Sequence, residues 1–168
     1  MMLEGLLDSI PATYWERQAS DDAWSARDHL RHLATIDDLV LPLVQNACAG
    51  CAVMWLAGPE PGDPERQRMA AMDSVAGAST AELRARMSAS REAVTGAVSQ
   101  LPHNALERLV RMATTDTGWG RLQEWPLRTY LAGWAEHDTV HEGAIRRAMT
   151  ARPDLSAVAL VRWRTQAL

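Results

Sequence analysis

Apolar residues recur along this chain mostly at helical spacing. Leu3, Leu6, Leu7 and Ile10 predict a short first helix that Pro11 ends or bends, with room for one more turn over 11–17. A loop is expected over 20–23. Ser25, followed three residues later by Asp28, reads as a capping box, and Trp24 before it is placed to pack on His29 as a hydrophobic staple. A second helix therefore begins at Ser25. One broad face of it carries His29, Leu33, Ile36, Val40 and Leu43, with His32 and Leu39 on the edge. Pro42 lies inside this pattern and predicts a kink or an early end near Leu41, with a frayed continuation through Ala47.

The periodicity then breaks. Gly58, Pro59, Pro61, Gly62, Pro64 and Gly77 mark 57–78 as a connection, with room for a short helix over 65–72. Loops of this length usually cross a bundle or cover a site, which makes this segment the candidate lid. A third helix starts at Ser79, paired with Glu82 in a second capping box. It carries Leu83, Met87, Val94, Val98 and Leu101, has no ligand-type residue on that stripe, and stops at Pro102. His103 is expected in an exposed linker, and 114–120 reads as a turn by composition. A last helical run spans about 124 to 149, with Tyr130, Trp134, His137, His141, Ile145 and Ala148 on one face. Beyond Arg152-Pro153-Asp154 comes an apolar tail whose Val158, Leu160, Val161 and Trp163 are too apolar to stand in water as one patch. No credible alternating strand pair, internal repeat or domain boundary is found. The reading is an all-α helical bundle in one domain, 1–168, with its body over about 3–149 and a tail over 150–168.

Composition narrows the function classes. The chain has 168 residues, 47% apolar and 23% charged, an ordinary soluble balance with no apolar run long enough for a membrane span. Its N-terminus lacks the basic stretch and apolar core of a secretion signal, so a cytoplasmic location is expected. The net charge of -4 gives no overall basic field, which argues against nucleic acid as a partner. All 17 basic residues are arginine, which reads as compositional bias. Cys48-Ala49-Gly50-Cys51 is a C-x-x-C, but it lacks both the strand-to-helix context of a redox motif and a second pair to complete a zinc site. Buried or partly exposed free thiols are expected there.

The chemistry lies in the last helix. His137 and His141 are four apart, so they sit about 40° apart around the axis and one turn along it, and both can reach one point beside the helix. They share the apolar face. A buried imidazole pair is either two satisfied core histidines or two metal ligands in need of a third, and spacing alone leaves both readings open.

Trp24-Ser25-Ala26-Arg27-Asp28-His29-Leu30-Arg31-His32-Leu33, taken with His137-Asp138-Thr139-Val140-His141 and Ile145-Arg146-Arg147, resembles the DinB/YfiT superfamily, to which metalloenzyme activities are ascribed. The resemblance implies a four-helix bundle in up-down-down-up order with a long crossover loop. It also implies a divalent metal, Zn or Ni, bound by His32, eight residues after the tryptophan, and by His137 and His141. Helical phase alone makes His29 the more central histidine. The family usually has an apolar residue there, so His29 is either a packing residue beside the site or a fourth imidazole.

Three imidazoles leave an open coordination position, at which a water is acidified or a thiol is bound as thiolate. Asp138, Asp28 and Glu142 are candidate partners for the imidazole N–H groups. His141-Glu142 does not begin an H-E-x-x-H, since Ile145 stands where the second histidine belongs. Members of the superfamily include transferases and isomerases that use thiols such as bacillithiol or mycothiol, and proteins linked to DNA-damage induction. The leading expectation is a metal-dependent enzyme that activates a small thiol and transfers it to an electrophilic small-molecule substrate. A metal-dependent hydrolase is the alternative enzyme, and a stress-induced, non-catalytic binding bundle is the alternative outside catalysis. Trp24, Trp119, Trp125 and Trp134 either line the pocket or belong to the core. The apolar tail predicts a homodimer in which bundle faces pair and the C-terminal segment contributes.

Overall fold

Both capping boxes form, and each fixes the start of a long helix. The Ser25 hydroxyl accepts the Asp28 N–H at 3.2 Å while the Asp28 carboxylate accepts the Ser25 N–H at 3.1 Å. Ser79 and Glu82 repeat the exchange. The computed structural model describes residues 2–51, 53–55, 63–114 and 121–151. Among these the helices are α1 (Met2–Ser9), α2 (Ala26–Cys48), α3 (Pro64–Ser74), α4 (Thr80–Ser99) and α5 (Leu127–Thr150). The expected extra turn after Pro11 is a 3₁₀ helix, Ala12–Tyr14. None of the described helices is long and apolar enough to cross a membrane. The apolar tail and Trp119 lie outside the described residues, as does most of the turn over 114–120.

The chain is mostly helical, yet the all-helical expectation needs a correction. A three-stranded sheet is present, with β1 (Val53–Trp55), β2 (Leu109–Thr114) and β3 (Arg121–Pro126) in that order. β1 pairs parallel with β2, Val53 opposite Leu109, and β2 pairs antiparallel with β3, Leu109 opposite Pro126. The strands are three to six residues long and, among the described side chains, bury only Met54 and Val110, so no alternation stands out locally. The last helix accordingly starts at Leu127 rather than near Glu124. Pro126 is its N-cap residue, and a proline pushes the residue before it, Trp125, out of the helical region.

α2 is the central element and packs against α3, α4, α5 and β1. It continues through Pro42 to Cys48, so the early end expected near Leu41 does not occur. That proline is exposed, so the Asp38 carbonyl it leaves unbonded lies on the solvent side of the helix, where water replaces the lost donor. Two apolar clusters flank the middle of the fold. One joins Leu3, Leu7, Leu30, Leu33, Leu83, Met87 and Ile145, and the other joins Val40, Val44, Met54, Val94, Val110, Leu127 and Leu131. α2 and α4 pass from the first cluster to the second, and α5 passes the opposite way. Between the two clusters, α2 and α5 place their buried polar residues.

Candidate metal centre

Four of the five histidines meet where α2 and α5 face each other. His32 Nε2 lies 3.1 Å from His137 Nε2, and His141 Nε2 lies 3.1 Å from the same atom. Ligand atoms of His32, His137 and His141 all fall within 4.8 Å of one another, an arrangement able to hold a metal ion. A tetrahedral zinc ion about 2.0–2.1 Å from each nitrogen would set its ligand nitrogens roughly 3.3 Å apart, close to the 3.1 Å that separates His137 Nε2 from each of the other two. Three ring nitrogens aimed at one point also suit a cation better than one another. The residues present therefore fit the ion that the sequence motif implies.

Protonation favours the same role. Burial first, then the neighbouring rings of His141 and His137, push His32 down to about 3. Burial likewise lowers His141 to about 3, aided by His137 and His29. His137 is lowered mainly by burial. Neutral imidazoles keep a lone pair for a cation, so the three rings are in ligand form at neutral pH.

His29 stands behind the cluster rather than in it. Its Nδ1 lies 2.9 Å from His141 Nδ1, and its Nε2 lies 3.1 Å from Asp22 Oδ2. If His141 Nε2 gives its lone pair to an ion, one proton arrangement satisfies the chain. His141 Nδ1–H donates to His29 Nδ1, and His29 Nε2–H donates to the Asp22 carboxylate. Asp22 is itself fixed by accepting the Trp24 N–H at 2.9 Å. The Trp24 ring packs 5.3 Å from His29, as the staple requires, 5.2 Å from His32, and stacks on His141 at 6.1 Å. Arg68 of α3 lies 4.7 Å above that ring, so the later part of the candidate lid does cover the histidine cluster.

The carboxylates named as partners for the imidazoles are occupied elsewhere. Asp28 serves the cap and Arg31, Glu142 accepts from Arg146 at 2.8 Å, and Asp138 accepts two bonds from Arg91 at 2.6 and 2.9 Å. Asp22 takes their place through His29. Sequence reasoning also passed over Asp37, which is fully buried and accepts from Arg91 Nε at 2.7 Å and from Trp134 Nε1 at 2.7 Å. A signal for both was present. Asp37 lies between Leu33 and Val40 on the buried face of α2, and Arg91 lies between Met87 and Val94 on the stripe of α4, and each charge there demanded the other.

Beside the cluster a cavity of about 270 Å³ is walled by Ile36, Trp125, Tyr130, Trp134 and His137. Trp24 thus caps the histidines while Trp125 and Trp134 line this adjoining space. His103 is exposed, as expected, and Cys48 and Cys51 are free, as expected, but exposed rather than buried or partly exposed. Searches of curated proteins and of solved structures return no match. Residues 1–145 match a family model described as the DinB superfamily. That match covers most of the chain and includes all four clustered histidines, and on it the chain belongs to the DinB superfamily.

Proposed function

We propose that this chain is a divalent-metal-dependent enzyme that holds Zn or Ni through His32, His137 and His141, activates a low-molecular-weight thiol and transfers it to an electrophile. The observation that carries the reading is the convergence of three neutral imidazoles on one point. Bound there, the ion would lower the pKa of a thiol and present it as the thiolate nucleophile. The chain's own residues set the conditions. His29 and Asp22 orient His141, and Trp24 under Arg68 shields the cluster from water.

Thiol chemistry is favoured over hydrolysis by the neighbouring carboxylates. The ion would acidify a bound water as it does a thiol, but the general base that assists a water's attack is not at hand, since Asp22, Asp28, Asp138 and Glu142 are each bonded to another group. A thiol needs only to lose one proton to solvent. Bacillithiol or mycothiol fits that role, and the cytoplasm, where thiols are kept reduced, is the matching compartment. The scaffold is read as a single four-helix bundle of α1, α2, α4 and α5 in up-down-down-up order. It is supported by the shared direction of α2 and α4 and the reversal at α5. A homodimer in which bundle faces pair and the C-terminal segment, 150–168, contributes completes the proposal, and a monomer on size-exclusion chromatography would remove that part.

Elemental mass spectrometry of the purified full chain tests the metal directly. About one equivalent of Zn or Ni is expected, lost in both His32→Ala and His137→Ala. A screen of thiol and electrophile pairs then follows loss of free thiol. A metal-free parent after loading, with both variants folded, overturns the reading.

A further inference from the structure

The cavity next to the histidines differs from them in chemistry, and it bears on what the site accepts. Its walls are the aromatic rings of Trp125, Tyr130 and Trp134 and the side chain of Ile36, with Thr129 adding a hydroxyl group. His137 belongs both to this wall and to the three-histidine group, so a molecule lodged here abuts the position where the ion would sit. The pocket is partly open to solvent, and its volume of about 270 Å³ has room for a group of one to two fused rings.

The wall is held in place and carries no net charge. Trp134 Nε1 donates to the buried Asp37 at 2.7 Å, and the Arg91 guanidinium lies 4.6 Å from the Trp134 ring, which fixes the ring from two sides. The charge of Arg91 is met by Asp37 and Asp138. The lining contains no arginine to pair with an anionic ligand. Gly133 completes the lining, and a Cβ built on it would meet no atom within 4 Å. A side chain at that position therefore starts from open space in the wall of the pocket.

We infer that this cavity is the substrate subsite and that it takes an uncharged aromatic group, seated between Trp125 and Trp134 with its reactive end toward His137. This rests on the metal-dependent reading for the reaction, but the binding itself does not require the ion. It selects among electrophiles by their apolar ring, since the lining offers aromatic faces and no cationic side chain.

The test uses 2-naphthol and its carboxylate analogue 2-naphthoate as probes, with affinity read by isothermal titration calorimetry on the full chain. In His32→Ala, which has no ion to take the carboxylate, naphthol is expected to bind at least ten-fold more tightly than naphthoate. Gly133→Leu, which fills the cavity, is expected to weaken naphthol at least ten-fold while keeping metal content and thermal midpoint at the parent level. Trp125→Ala, on a strand rather than on α5, is expected to weaken it as well, and serves if the leucine variant does not fold. His32→Ala is expected to lose metal and keep naphthol. A parent that holds metal but shows no naphthol binding, or binding unchanged by both cavity variants, overturns the subsite while leaving the metal reading standing. Naphthol binding to a parent that never takes up metal supports the subsite and removes the metal reading.

Discussion

His29 Nδ1 and His141 Nδ1 lie 2.9 Å apart across the α2–α5 seam, and Asp22 closes the chain at 3.1 Å from the other nitrogen of His29. A histidine that the helical phase of α2 made central is thus a support for a ligand on another helix. The relation sets the tautomer of His141 and turns its Nε2 toward the cluster.

Loss of that support should weaken the metal without removing a ligand. His29→Ala and Asp22→Asn are each expected to lower metal affinity by about 10–100-fold, the usual cost of losing such an outer hydrogen bond. Competition against a chromophoric chelator measures it. Parent-like affinity in both variants would show that His141 is oriented by packing alone.

Arg91 holds the charge of the fully buried Asp37. Arg91→Met leaves that carboxylate without its cation and is expected to cost about 3–5 kcal/mol in urea unfolding. Because the two side chains share one interaction, the double variant with Asp37→Asn is expected to lose less than the two single losses added together. Strict additivity would mean that the pair is not coupled.

Acid should destabilise the metal-free protein through its histidines. Folding lowers His32 and His141 to about 3 from an ordinary value of 6.5. Above about 6.5 both rings are neutral in either state, and stability does not depend on them. As the pH falls from 6.5 toward 3, the unfolded chain takes up protons that the folded chain refuses, so stability declines by up to about 1.4 kcal/mol per pH unit for each ring. Thermal midpoints of chelator-treated protein between pH 7.5 and 5 should fall, and the slope should be shallower in His32→Gln. A flat profile would contradict the burial of these rings.

The cap of α2 sits at the entrance to the same site. Ser25→Ala removes the acceptor for the Asp28 N–H and is expected to cost about 1 kcal/mol. The variant should keep its metal, because Trp24 still stacks on His141. Metal loss on elemental analysis would instead tie the cap to the centre.

Local sequence determined the starts of α2 and α4 and the pairing of His137 with His141. A capping box and an i,i+4 spacing are completed by residues within one helical turn, so no distant part of the chain has to cooperate. It also contained the superfamily motif, which singled out His32 where helical phase leaned toward His29. Phase could not separate them, since α2 is covered by α3, α4 and α5 and both histidines are buried. What only the tertiary structure decided are the relations between remote residues. The β1–β2 pairing joins strands far apart in sequence, His29 meets His141 across 112 positions, and Arg91 reaches Asp37 across 54. Each depends on how whole elements pack, and the short strands bury too little to announce themselves. The walls of the cavity belong to the same class, because Ile36, Trp125 and Trp134 become neighbours only once α2, β3 and α5 are in place.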